Sequence, residues 1–358
     1  MNAIFKNLKV VELANVLAGP AVGMFFSEMG AKVIKVENKT TNGDVTRSWK
    51  LPSENPKSKT SSYYCSVNWN KKVVFADLKN EEEKKKILLF IKNADVVISN
   101  YKKGDDIKFG MDYKTLKKIN PSLIYAHLSG FGENSNRTAF DIVLQAETGF
   151  MFMNGTAESG PIKMPLALID ILAAHQLKEG ILVALIKKMQ TGKGANVSVS
   201  LYDTAVASLA NQATNWLMAK HNPQAIGSLH PNIAPYGEIF PTKDGKLIVL
   251  AVGNDKQFTM LCSILKINSL LKNDLYITNS NRVKNRAMLF KILLPEIKKW
   301  SSKKLIKAFI HKDVPAGTIK SIKEVFQNKN ALKLTLKGKS SFSSDFLVVK
   351  SSIFYITH

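Results

Sequence analysis

Cysteine is nearly missing from this chain of 358 residues: Cys65 and Cys262 are the only two, they lie far apart, and no CxxC or His/Cys cluster accompanies either. A disulfide framework and a zinc site are therefore not expected, and a reducing, cytoplasmic setting is. Arginine is scarce as well. Of the 51 Lys and Arg residues only Arg47, Arg137, Arg282 and Arg286 are arginine. The lysines are spread over nearly every segment, so the formal net charge of +23 draws no single phosphate-binding stripe. Neither nucleic acid nor a membrane is expected as a partner, whereas an anionic small ligand suits the charge. Long uncharged apolar runs are also lacking. Met164 to Ile186 is interrupted by Asp170, His175, Lys178 and Glu179, which a bilayer core accepts only at high cost, so it reads as a buried helix. Glu12 breaks the first apolar run and no basic-then-apolar signal pattern precedes it, so no export signal is expected. No internal repeat is visible.

With 45% hydrophobic residues, the chain can bury a sizeable core and should divide into two domains. Short β-branched runs alternate with helix-length segments over the first 130 residues, the pattern of a parallel sheet wrapped by helices. Strands are predicted at Lys9–Leu13, Lys32–Glu37, Val73–Leu78, Asp95–Ser99 and Ser122–Leu128, with helices at Ala21–Met29 and Glu81–Lys92. A mostly helical region from Phe140 to Lys188, a strand at Asn196–Ser200 and a helix from Tyr202 to Lys220 follow. Near His221 the texture changes. Pro231, Pro235 and Pro241 lead into a hairpin-like segment around Asp244-Gly245, so a boundary is placed there. The expected division is a large domain over 1–220, a small domain over 221–330 with helices around Phe258, Met288 and Leu305, and a Lys/Ser-rich segment over 331–358 without clear periodicity.

The first strand, its turn and the next strand imitate a dinucleotide-binding unit, but the glycines do not fit. GxGxxG is absent; the turn offers Ala18-Gly19-Pro20 and then Gly23, and Pro20 removes an amide donor. Asp170 is the most informative residue, because it is a lone carboxylate inside Pro165–Ala174, otherwise wholly apolar. Burying it unpaired would be expensive. Two readings stand: a helix N-cap, or a carboxylate positioned and kept ionised at a helix start, as a nucleophile requires.

Several ordered motifs carry a family likeness: Leu17-Ala-Gly-Pro20, Gly30 to Glu37, Gly43-Asp-Val-Thr-Arg47, Asn70-Lys-Lys72, Asn100-Tyr101, Ser129-Gly-Phe-Gly132, Asp170, Thr191-Gly-Lys-Gly194 and Pro235-Tyr236. Through them the chain resembles the family III CoA-transferases over nearly all of residues 8 to 325. That group includes formyl-CoA:oxalate transferase, the carnitine CoA-transferases and, as a branch, α-methylacyl-CoA racemase. The resemblance implies an α/β fold with a Rossmann-like parallel-sheet large domain and a smaller α+β domain. It also implies an interlocked homodimer, with CoA at the domain boundary. It places the nucleophilic aspartate on Asp170 and a second catalytic or orienting acid on Asp141, whose other reading is a helix cap beside Phe140. Acyl-CoA would be donor and a small carboxylic acid acceptor, with no metal. CoA contacts are implied at Val16, Leu17, Ala18, Asn38, Arg47 and Asn70, and further at Lys71, Lys72, Asn100, Tyr101, Lys108 and Arg137. Any single lysine in so lysine-rich a chain also reads as surface, which gives Arg47 and Arg137, with their planar forks, more weight.

Three departures mark this chain. The racemase branch carries Gly-His-Asp where Ala139-Phe140-Asp141 stands here, and phenylalanine moves no proton, which disfavours racemisation. Leu17 replaces a glutamine of formyl-CoA transferase, which argues against oxalate as acceptor. After Gln327 the chain is poorly matched, where relatives return to the large domain with a closing helix. The expected function is CoA transfer through an aspartyl intermediate; a racemase or epimerase, or an inactive CoA-binding homologue, are the alternatives.

Overall fold

Strand β1 (Lys9–Glu12) enters the core directly, with Val10, Val11 and Glu12 all buried. Helix α1 (Ala18–Glu28) follows and is buried along almost its entire length, so it takes Val22, Phe25 and Phe26 into the core. Its N-cap, Leu17, offers no side-chain hydrogen bond. Strands β2 (Lys32–Asn38) and β3 (Lys72–Ala76) come next. Helix α2 (Glu81–Lys92) opens on the Asn80 side chain, which accepts the Glu82 and Glu83 amides; three glutamates fill its first turn and Lys92 its last, as the helix dipole favours. Strand β4 (Val96–Ser99), the short helix α3 (Tyr113–Ile119) and strand β5 (Ile124–Ser129) continue the alternation. Helices α4 (Asp141–Glu147) and α5 (Leu168–Thr191), strand β6 (Ala195–Ser200) and helix α6 (Leu201–Ala207) complete the series.

The six strands form one parallel sheet in the order β3-β2-β1-β4-β5-β6. This is the α/β fold expected from the alternation, and its strand order is that of a doubly wound sheet. One face packs against α1 and α5 through Val10, Phe26, Val96, Leu177 and Ile181; the other packs Ile87, Ile91, Met111 and Leu116 against Val11, Val97 and Tyr125. No described helix is long and apolar enough to cross a membrane.

The computed structural model describes residues 4–340, 343–354 and 356–357. They divide into two units: Met1–Phe152, Ile162–Pro223 and Leu332–His358 in one, Met153–Pro161 and Gln224–Ala331 in the other. The second unit holds a three-stranded antiparallel sheet of β7 (Tyr236–Pro241), β8 (Leu247–Ala251) and β9 (Ala316–Thr318), in the order β9-β8-β7. Phe240, Ile248 and Leu250 pack there with Phe258, Leu293 and Phe309 from helices α7 (Asp255–Leu265), α8 (Arg286–Lys298) and α9 (Ser302–His311). The Asp244-Gly245 turn joins β7 to β8, and Asp244 also accepts the Ser302 amide that opens α9.

Two stretches differ from the sequence reading. The region read as mostly helical from Phe140 to Lys188 contains a small hairpin, Gly155–Thr156 with Gly160–Pro161, and α5 begins only at Leu168. The segment after Ala331, read as aperiodic, forms an antiparallel pair of β10 (Thr335–Ser340) and β11 (Ser343–Val349). Leu336 and Val348 pack with Met24, Tyr64 and Cys65, the Trp69 indole donates to the Lys337 carbonyl, and Glu28 accepts the Ser351 and Ser352 amides.

Candidate functional site

In a doubly wound sheet, ligands sit outside the carboxyl ends of the strands where the strand order reverses. That point falls here between β1 and β4, and the segments leaving these strands are tied by Asn100. Its side chain accepts the Asn15 amide at 3.0 Å and donates to the Asn15 carbonyl at 2.9 Å. Two cavities open at this edge. One, of about 640 Å³, is lined by Val16, Leu17, Ala18, Asn100, Arg137 and Asp170; the other, of about 1390 Å³, by Asn38, Arg47, Lys79, Lys108 and Phe109. Asn15 and Tyr101 belong to both, so the cavities adjoin.

Asp170 is the third residue of α5, whose N-cap is Ala167. The N-cap reading of Asp170 is therefore wrong. Asp141 does the capping from another helix: its Oδ1 accepts the Ile169 amide at 2.7 Å, which occupies one of the donors that a helix start leaves free. Asp141 is itself the first residue of α4 and is held by Gln145 Nε2 at 2.5 Å. The buried Gln145 also bonds the backbone of Met164 and Leu166, fixing the approach to α5. Phe140, the N-cap of α4, makes no side-chain cap and is exposed.

The Asp170 carboxylate accepts no hydrogen bond from any described residue, although it is half-buried in the wall of the smaller cavity. Burial, and after it the charge of Asp141, push its pKa up to about 7. The expectation that a helix start keeps it fully ionised is corrected by this: desolvation and a like charge outweigh the helix terminus. Tyr63, which the sequence reading passed over, has its hydroxyl pushed up to about 12 by burial and then by the charges of Asp170 and Asp141. Its ring packs edge-on against Trp49 at 5.1 Å.

Beneath the turn after β1 lies a set of buried charges. Lys35 Nζ sits 3.0 Å from Glu12 and 3.1 Å from Asp44, with all three side chains inaccessible to solvent. Lys71 Nζ is 2.7 Å from the other Glu12 oxygen and also donates to the Pro20 carbonyl and Asn68. Burial opposes the Lys35 charge, but Glu12, Asp44 and Glu37 outweigh it and hold its pKa above the ordinary value. For Lys71 burial prevails over Glu12 and brings the pKa down to about 8. Gly23 exists for this pair: a Cβ there would stand 1.8 Å from Glu12 Oε2. The glycine that falls outside GxGxxG thus makes room for a carboxylate, not a pyrophosphate.

The expected CoA contacts separate into two groups. Val16, Leu17, Ala18, Asn38, Asn100, Tyr101, Lys108 and Arg137 line the two cavities. Asn70, Lys71 and Lys72 line neither; Lys71 is committed to Glu12, and Lys72 opens β3 on an exposed position. Arg47 lines the larger cavity, yet its fork is engaged inward. Nε and Nη2 bind Glu37 at 2.6 and 2.9 Å, Nη2 also reaches Tyr64, and Nη1 donates to the Lys59 carbonyl. Arg137 pairs with Glu147 and lies over the Phe131 ring at 4.3 Å.

Comparison with known proteins agrees with this architecture. The model of CoA-transferase family III matches residues 5–336. A succinate–glutarate CoA-transferase of Agrobacterium fabrum is 40% identical over 325 residues, 89% of this chain and 80% of that protein. The human succinyl-CoA:glutarate CoA-transferase is 34% identical over 330 residues, 91% of this chain and 74% of its own. Among solved structures, a CAIB/BAIF family protein from Brucella suis superposes with a TM-score of 0.86 at 36% identity, covering 99% of this chain and 93% of its own. With its parallel sheet, its cavities at the switch point and matches over most of its length, the chain belongs to CoA-transferase family III.

Proposed function

We propose that this CoA-transferase carries the acyl group of its donor on Asp170, and that its acids are short dicarboxylates. One observation carries the first part: Asp170 stands in the cavity wall with no hydrogen-bond partner among the described residues, while Asp141 takes over the capping of α5. A carboxylate released from structural duty is available as a nucleophile.

One oxygen of ionised Asp170 attacks the thioester carbonyl. The C–S bond breaks, CoA leaves as thiolate, and a mixed anhydride forms. The thiolate then attacks the Asp170 carbonyl of that anhydride, releasing the donor acid and leaving an aspartyl–CoA thioester. The acceptor carboxylate displaces CoA from it, forming a second anhydride. Attack of the thiolate on the acceptor carbonyl then yields the new thioester and restores the Asp170 carboxylate. Each step exchanges one acyl bond for another, so thioester energy is kept if water is excluded.

Coenzyme A would lie along the strand ends, its nucleotide in the larger cavity. Lys79 and Lys108 support this, since neither side chain is paired among the described residues, and cations suit phosphates. Tyr101 and Phe109 offer ring faces for a base. The acid class rests on the relatives, whose names pair succinate or succinyl-CoA with glutarate. A homodimer fits the exposed Trp216, Leu217 and Met218, and the free buried thiols of Cys65 and Cys262 fit a reducing, cytoplasmic setting.

The test is mass spectrometry of the protein mixed with succinyl-CoA. Expected is a hydroxylamine-sensitive adduct on the peptide holding Asp170, and glutaryl-CoA once glutarate is added. Normal CoA binding without adduct or exchange, over a panel of dicarboxylates, would leave an inactive CoA-binding homologue instead.

A further inference from the structure

The wall that the smaller cavity presents at the strand end is built on a backbone conformation its own residue disfavours. Val16 has φ +73°, a left-handed value that is a true outlier for a β-branched side chain. Neighbouring side chains hold the polar backbone atoms around it. Lys35 Nζ donates to the Ala14 carbonyl at 2.7 Å, Asn100 takes both the amide and the carbonyl of Asn15, and Asp44 Oδ2 accepts the Val16 amide at 3.1 Å. Asp44 is in turn oriented through its other oxygen, which accepts the Thr46 amide and hydroxyl at 3.0 and 2.8 Å. Lys35, 3.1 Å away and fully buried, neutralises it.

We infer that Asp44 is a positioning residue for CoA transfer: its bond to the Val16 amide locks the left-handed turn, and so fixes Val16, Leu17 and Ala18 in the wall of the cavity that Asp170 also lines. The inference rests on Asp170 being the acyl carrier, because only then does this cavity hold a reacting centre. A displacement of about 1 Å near a reacting centre can lower its rate by about a hundredfold, so a small loosening of this turn would be felt in kcat. An ion pair that merely stabilised the fold would lower the melting temperature and leave kcat alone.

Glycine separates the two. It takes a left-handed conformation without strain, so with glycine at 16 the turn no longer needs the lock. Asp44→Asn is expected to lower kcat about tenfold or more with Val16 in place, and less than about threefold in a Val16→Gly background, while lowering Tm equally in both. Thr46→Val loosens the orientation of Asp44 without removing a charge, and serves if Asp44→Asn does not fold. Its kcat loss, smaller, should also vanish in the glycine background. An unchanged kcat, or the same loss in both backgrounds, overturns the positioning role. Acylation of Asp170 is followed in the unmutated protein alongside: its absence removes the reading on which the inference rests, whereas acylation with a background-independent loss removes the inference alone.

Discussion

Glu12, Glu37 and Asp44 are surrounded by Lys35, Lys71 and Arg47, whereas the charge that Asp170 feels most is that of another carboxylate, Asp141. In the first group each acid meets a cation within 3.1 Å. Lys35 holds the Asp44 carboxyl below the ordinary range against the opposing effect of burial, and Arg47 and Tyr64 do the same for Glu37. In the second, burial and a like charge act together and nothing described compensates them. Both sets occupy the same unit, so the difference is one of role. A satisfied network holds geometry; an unsatisfied carboxylate is left available, and the acylation proposed for Asp170 would remove its charge.

The largest effect is expected at Asp170. Asp170→Asn should reduce thioester exchange about a thousandfold or more while CoA binding persists, measured by steady-state exchange and calorimetry. The same variant should be more stable than the unmutated protein. A carboxyl raised to about 7 in the fold lowers stability progressively as pH climbs from near 4 and most fully above 7, so the gain should be present at pH 8 and vanish near pH 4. Its size is on the order of 1–3 kcal/mol, since solvent screens part of the shift. An opposite sign would mean that Asp170 is structurally satisfied after all.

The network should behave in reverse. Lys35→Met leaves Glu12 and Asp44 without a shared cation and should cost about 3–5 kcal/mol in denaturant unfolding. Gly23→Ala, whose added methyl meets Glu12, should cost about 1–3 kcal/mol. Subtler is the pH profile. With Asp170 required as carboxylate, kcat/KM should fall below pH about 7, and Asp141→Asn should move that limb to lower pH while still accepting the Ile169 amide. An unmoved limb would assign the titration to another group. At the small end, Glu147→Gln breaks the solvent-exposed pair with Arg137 and should leave Tm unchanged.

Asp170 was legible because a lone carboxylate interrupts the otherwise apolar stretch Pro165–Ala174, and the strands of the large sheet because β-branched runs recur between helices. Asp141 was marked by the resemblance as a catalytic or orienting acid, with a helix cap as its other reading; that it caps a different helix depends on how α4 meets α5. Lys35 was passed over for a compositional reason. In a chain so rich in lysine nothing marks out the second lysine of Lys-Val-Ile-Lys-Val-Glu, yet Lys35 is fully buried. Arg47 was singled out for its fork, and the fork is indeed used, on Glu37 and Tyr64. The closing pair of strands stayed hidden because its apolar residues find their partners in Met24 and Tyr64, some three hundred residues earlier.

Local pattern alone determined the alternating elements, the parallel sheet and the odd carboxylate, since periodicity and isolation are properties of neighbours in the chain. Which charges are paired, which helix end is capped by whom, and whether an acid is relieved or frustrated were decided in three dimensions. Coulomb energy and desolvation depend on distance and burial, and those exist only once residues such as 12, 35, 44 and 71, or 141 and 170, have been brought together.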